Sequence, residues 1–319
     1  MKGVLSRPWF GPLVAVLLVY ALFAGFAPDT FARSANLLTM ARQTVVVAVC
    51  AIGMTLVMIQ GGIDLSVGST VALTTVVVAR VLAAGHGPWS AALVGVGAGA
   101  LVGSVNGAMV ARLGLTPFIV TLGTMSVLRG AAKGLAHEQK VDADPRGLDA
   151  LMSLPSAEAH AWLLPTGVWI ALALGLAAAG FLAYTRPGRH AVAIGSNLQT
   201  ARLCGVPVAK VTVLVYLLAG ALAGLSGVLE FSTLTVGDPT DSIGLELEVI
   251  AAVVIGGGSL SGGRGSIPGA LLGALLLTTI KTGSTHVGMP NWVQEIVTGT
   301  IIVVAMGLDR LRERRMAAT

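Results

Sequence analysis

Ten apolar runs constrain this chain more than any other feature. They fall near residues 9–28, 44–60, 67–84, 90–112, 115–134, 164–184, 211–231, 247–256, 267–284 and 292–308. A helix crosses the hydrocarbon core of a bilayer in about 20 apolar residues, and helices keep every backbone polar group satisfied there. The expected fold class is therefore all-α: a polytopic integral membrane helical bundle of about ten transmembrane segments. The second and eighth runs are short or glycine-interrupted, which predicts broken or half-length helices. Composition agrees. Charged residues make up 11% of the chain against about 25% in a soluble domain, too few to cover a water-exposed surface. Intrinsic disorder, a nucleic-acid-binding arm and a disulfide scaffold are excluded on the same grounds. The first run has a basic start (Lys2, Arg7) and small residues at Gly25 and Ala27, the pattern of a cleavable signal peptide. With nine further runs behind it, a retained helix is the expectation. No linker divides residues 1–319, so a single transmembrane domain is expected.

Charge sets the orientation. The segment 186–210 carries Arg186, Arg189, Arg202 and Lys210 and no acid, and the tail carries Arg310, Arg312, Arg314 and Arg315. With ten spans and a cytoplasmic N-terminus, both fall in the cytoplasm, together with Arg112 and Arg264. Glu138, Asp142, Asp144, Asp149, Glu158, Asp238 and Asp241 then fall outside, as the positive-inside rule requires. The formal charge of +5 thus marks topology, not a nucleic-acid partner. Residues 135–163, with Pro145 and Pro155, form an outer surface loop with room for one short helix. In the inner segment, turn residues Gly195, Asn197, Gly205 and Pro207 predict a short helix over about 197–204, in a loop long enough to have a task of its own.

Several motifs resemble chemistry and fail on inspection. Leu260–Arg264 reads LSGGR, close to an ATPase signature, but no lysine follows a glycine, so there is no phosphate-binding P-loop. His137-Glu138 opens an HExxH pattern that ends at Val141, without its second zinc ligand. No catalytic or metal constellation remains, and no cofactor is expected. A weak internal echo relates GGIDLSVG (Gly61–Gly68) to GGGSLSGG (Gly256–Gly263), each expected on the cytoplasmic side, and duplicated halves are common in transporters.

Asp64 stands apart, set with Gly61, Gly62, Ser66 and Gly68 between two apolar runs. A carboxylate in the bilayer costs about 2.5–3.5 kcal/mol on insertion scales and should face protein or water. Two readings follow. It is a structural cap for the helix starting at Val67, which is favoured, or an ion-, proton- or substrate-binding group at a broken helix. Asn106, Thr121 and Thr124 are candidates to line a polar translocation path, though such groups more often bond neighbouring helices. Pro117 suits a first helical turn. Glu230, Glu246 and Glu248 read as a solvated outer mouth.

Four blocks then become recognisable in order: GGIDLSVGS (Gly61–Ser69), NGAMVARLGLTPFIVTLGTM (Asn106–Met125), AIGSNLQTARLCGVPVAKVT (Ala193–Thr212) and EVIAAVVIGGGSLSGGRGSIPGALLGALL (Glu248–Leu276). Together they resemble the permease subunit of bacterial ribose-type sugar importers of the ATP-binding cassette class, over nearly the whole chain. The resemblance implies an inner-membrane permease that moves a monosaccharide or similar small polyol. Its implied partners are a cytoplasmic ATPase that binds the ATP, an extracytoplasmic sugar-binding protein and a second permease subunit. It also implies that Gly195, Asn197, Ala201, Arg202, Gly205 and Pro207 belong to the element that docks on the ATPase. The competing reading is an ion- or proton-coupled secondary transporter using Asp64.

Overall fold

The structure, a computed structural model, describes residues 9–154 and 164–317. Lys2, Arg7, Pro155 and Glu158 lie outside those residues. Helices cover every expected run: α1 (Phe10–Phe26), α3 (Ser34–Ile59), α4 (Val67–Ala83), α5 (Pro88–Leu113), α6 (Pro117–Leu135), α7 (Thr166–Tyr184), α10 (Val208–Leu234), α11 (Leu245–Ile255), α12 (Ile267–His286) and α13 (Asn291–Ala317). Short helices α2 (Pro28–Phe31), α8 (Arg186–Ser196) and α9 (Leu198–Leu203) lie between them. Among the described residues, α3, α5, α7, α10 and α12 are long and apolar enough to cross a membrane, while α1 and α4 are apolar but shorter. The expected second span is longer than its apolar run, because α3 starts at Ser34, well before Thr44.

Two four-helix units, α3–α6 and α10–α13, repeat the same order: a long helix, a loop, a shorter helix (here called the half-helix of the unit), then two further helices. Helix α10 packs on α5 and α4 of the first unit, and α3 packs on α12 and α11 of the second. The two units run in opposite senses. Helix α3 ends beside the basic segment, where Gly263 donates to the Ile59 carbonyl at 2.8 Å, whereas α10 starts there. The two-residue strands β1 (Val141–Asp142) and β2 (Val236–Gly237) pair antiparallel at the other end, here the hairpin end. The sequence echo therefore does not mark the repeat. Its two motifs sit at one end of the molecule, whereas an inverted repeat equates the loop after α3 with the loop after α10.

The central contact between the units rests on missing side chains. Gly95, Gly99, Gly103 and Gly107 follow one another every fourth residue down α5. A methyl group at Gly99 or Gly103 would collide with the backbone of α10 at Gly220 and Tyr216. Small residues let membrane helices approach to backbone contact, where dispersion and weak polar contacts replace the absent hydrophobic drive. Helix α7 is peripheral, with Trp169, Leu172 and Leu176 exposed, as suits a lipid-facing helix.

Candidate functional site

The loop after α10 does not stay at the surface. From Gly237, packed against Thr75 and Ala79 of α4, it descends to Gly244, so that α11 starts beside the start of α4. A side chain at Gly68 would strike the Ser242 carbonyl and the Glu246 carboxylate. At 1.5 Å per residue, α4 is about 25 Å long and α11 about 16 Å. Laid start to start, they span the layer between them. Two positive helix ends thus converge inside the layer, with Glu246 in the first turn of α11, where an acid is stabilised by the helix dipole.

A cavity of about 490 Å³ opens at this junction, lined by Ser69, Met125, Ser126, Arg129, Lys133, Ile243 and Glu246 among others. The Ser69 hydroxyl is buried without a hydrogen-bond partner among the described residues. Arg129, from α6, donates to the carbonyls of Pro239 at 3.0 Å and Asp241 at 2.7 Å, and so pins the re-entrant loop against α6. The arrangement offers hydroxyl donors and acceptors, a guanidinium and a carboxylate in one place, which suits hydrogen bonding to a polar solute. Glu246 was expected at a solvated outer mouth. The re-entrant loop carries it inward instead.

The predicted path residues are elsewhere. Thr124 donates to Asn106 Oδ1 at 2.7 Å, Asn106 donates to Ser66 Oγ at 3.0 Å, and Ser66 donates to Asp64 Oδ1 at 2.6 Å. Thr121 lies 3.1 Å from the Ile63 carbonyl and 3.0 Å from that of Pro117. Asn106 and Thr121 are fully buried. This chain of donors ends on a carboxylate, and it fixes residues 63–66 to α5 and α6; none of the three lines the cavity at the half-helix starts. Asp64 does not cap the first turn of α4 either. Its Oδ1 accepts the Ser66 amide at 2.9 Å, so the cap expected from sequence is an Asx turn just before the helix, where Ser66 makes no side-chain cap bond.

In the segment 186–210, α8 and α9 are each opened by a capping side chain. Thr185 accepts from Gly188 at 3.1 Å and Asn197 from Thr200 at 2.9 Å. Gly205 adopts φ +77°, and a methyl group there would meet no neighbouring atom, so backbone conformation and not space selects glycine there. Pro207 caps α10. Ala201 is buried, whereas Leu203 is 89% exposed and Arg202 and Cys204 are also exposed. Gly195 is wedged where a methyl group would collide with the Ile59 carbonyl and the Gly263 amide. One residue therefore touches both the last residue of α3 and the loop that leaves α11, and Gly262 of that loop lies in turn against Gly61.

Sequence reasoning overlooked Ser69 and Arg129. The signal was present for the arginine: a permanent cation inside an apolar run is a functional-site candidate by default. Ser69 gave none, since its significance comes from the neighbouring helix start.

Comparison with known proteins fits this architecture. The family described as branched-chain amino acid transport system / permease component matches residues 36–306. The ribose import permease protein RbsC of Escherichia coli (strain K12) is 37% identical over 308 residues, 94% of this chain and 93% of its own length. RbsC of Bacillus subtilis (strain 168) is 34% identical over 97% of this chain and 94% of its own. The L-arabinose transport system permease protein AraH of Escherichia coli (strain K12) is 32% identical over 97% and 93%. No solved structure matches the chain.

Proposed function

Because the chain belongs to the branched-chain amino acid transport system / permease component family, we propose that it is the membrane-spanning subunit of an ATP-driven importer carrying a pentose or similar small polyol across the bacterial inner membrane. The observation that carries the sugar assignment is similarity over nearly the whole chain to permeases named for ribose and L-arabinose. Its partners on this reading are a cytoplasmic ATPase, which binds the nucleotide, a sugar-binding protein outside and a second permease subunit. The basic end faces the cytoplasm and the hairpin end faces out. The family is one of transport subunits, not of enzymes, and this chain catalyses no covalent step.

The mechanism rests on how the coupling segment is attached. The exposed face of α9, with Leu203 and Arg202, receives the ATPase. Movement of α8 is transmitted at Gly195 to the end of α3 and to the loop after α11, whose Gly262 lies against Gly61 ahead of α4, so one displacement reaches both half-helices. Their facing starts hold the cargo between Ser69, Arg129 and Glu246. The proton-coupled reading gains nothing from Asp64, whose carboxylate terminates a hydrogen-bonded network instead of facing that cavity.

Uptake of labelled D-ribose and L-arabinose by cells producing the chain with its ATPase and binding protein tests the function. Loss of uptake on inactivating the ATPase is the expected result; uptake that persists and follows the proton gradient would reverse the assignment. Docking is tested with the native thiols. Cys204 is exposed and Cys50 buried, so a charged alkylating reagent should label Cys204 in inside-out vesicles and lose access when the ATPase is bound. Equal labelling in an assembled complex would show that α9 is only a solvated loop.

A further inference from the structure

A cleft of about 490 Å³ opens at the hairpin end between α3 of the first unit and α10, α11, α12 and α13 of the second. It is separate from the cavity at the half-helix starts. All of its lining residues are polar except Val46, Val47, Met152 and Leu277. We propose that this cleft is a second binding site, for a neutral polyhydroxylated molecule, held within one subunit. The proposal rests on the sugar-import reading for the identity of the cargo.

Three observations point to a ligand. The first is an unused donor: Arg42 Nε is buried with no hydrogen-bond partner among the described residues. Leaving a buried charged donor unpaired costs more than leaving a neutral one, so the site is incomplete as the chain alone builds it. The second is charge balance. Arg42 and Lys281 line the same cleft as Glu230 and Glu248, with Lys281 and Glu248 joined loosely at 3.5 Å. Groups of both signs line the cleft, so it is not built around one sign of charge. Groups such as Gln43 and Thr282, which both donate and accept, match hydroxyls that do the same. The third is the pseudo-equivalent cleft at the basic end, about 380 Å³ between the end of α3, the start of α10 and the α5–α6 turn. Among the described residues it holds no carboxylate and only Arg202 as a cation. The repeated fold therefore does not itself require charges at this position. Ionisable groups among membrane helices persist where they serve a solute or a pathway. The volume lies within the range of small-molecule sites, and the lack of an aromatic platform suits a weak, transient stop for cargo.

The test uses a reporter thiol from Thr285→Cys on the cleft rim in the full chain, with native Cys204 as internal standard. D-ribose at roughly 100 mM should slow alkylation of the reporter about threefold or more and leave Cys204 unchanged, as a site with a Kd of about 50 mM or tighter requires. Adding Arg42→Gln should abolish this protection, and adding the milder Gln43→Ala should weaken it. In the assembled transporter, Arg42→Gln should lower ribose uptake about tenfold by raising KM (a tenfold loss corresponds to one decade of affinity). No protection by ribose, in a chain whose complex imports ribose, overturns the site and leaves the transport function standing. Protection by alanine and not by ribose overturns the assigned ligand class. A wild-type complex that imports neither ribose nor arabinose overturns the functional reading and the site with it.

Discussion

The two units solve one local problem in two environments. After α3, Asp64 Oδ1 accepts the amide and the hydroxyl of Ser66 at 2.9 and 2.6 Å. After α10, Asp238 Oδ1 accepts the amide and the hydroxyl of Thr240 at 2.8 and 2.7 Å. The same Asp-x-Ser/Thr turn lies in the loop between the long helix and the half-helix of each unit. What surrounds the turns differs. Asp64 is 3% exposed and is served by the Asn106–Thr124 chain of donors. Asp238 is also buried, at 9% exposed, but lies at the hairpin end, within reach of solvent-side Lys140 at 2.9 Å. Burial pushes the Asp238 carboxyl up, and hydrogen bonds from Thr240 and Lys140 outweigh it, holding it below the ordinary carboxylate value. The same bond holds Lys140 above its ordinary value. The repeat thus determines the turn, and depth determines how its charge is accommodated.

The largest expected effect comes from removing the deep acceptor. Asp64→Leu leaves the Ser66 amide and hydroxyl without their partner and breaks the donor chain from Thr124. A buried donor left unsatisfied costs about 1–3 kcal/mol, so we expect a loss of about 3 kcal/mol and a sharp fall in folded protein recovered from the membrane. Recovery equal to wild type would remove any special status from the deep turn. Next comes Asn106→Leu, which strips the link between Ser66 and Thr124 but spares the Asx turn. A loss of about 2 kcal/mol is expected, and a double substitution with Asp64→Leu should cost less than the two single losses added together, because the residues act in one network.

Asp64→Asn should be milder still, about 1 kcal/mol, because an amide oxygen can accept both Ser66 bonds. Transport should largely survive in that variant. Abolished uptake in a well-assembled Asp64→Asn protein would revive a proton-coupling role for the residue.

The shallow turn should give the smallest response, and one that depends on pH. Asp238→Asn is expected to lower the melting temperature by only about 2 °C at neutral pH. The Asp238 carboxyl is depressed in the folded state, so its contribution is full above the ordinary value of 3.8 and disappears as pH falls through the lower folded value. Lys140 is raised, so its share is full below 10.5 and is lost as pH rises through the higher folded value. The gap between wild type and Asp238→Asn should therefore close at both extremes and be widest between them. A gap of constant size across the range would show that the Lys140 pair does not stabilise the shallow turn.

The sequence by itself determined where helices form, because hydropathy and turn chemistry act over a few residues. All ten apolar runs are helical, the short helix expected over 197–204 is α9 (Leu198–Leu203), and Gly205 takes the left-handed conformation that its turn requires. It also singled out Asp64, since an acid between two apolar runs must find partners. Only the tertiary structure decided which groups those partners are. Asn106 reaches Ser66 across forty positions because α5 lies against α4, where a methyl group at Gly95 would press on Thr74 and Val78, and no local pattern specifies that pairing. The re-entry of residues 238–244 was equally hidden: DPTDSIG reads as a surface turn until Thr75, Gly237 and Arg129 hold it against α4 and α6. Likewise the inverted repeat shares too short a motif, Asp-x-Ser/Thr, to be seen in one sequence, while the longer echo at Gly61 and Gly256 joins loops at the same end. Composition sets how much of a chain enters the membrane. Which polar groups then meet, and whether they close on each other or leave a cavity between them, depends on backbone approach and helix direction, which arise only when the helices pack.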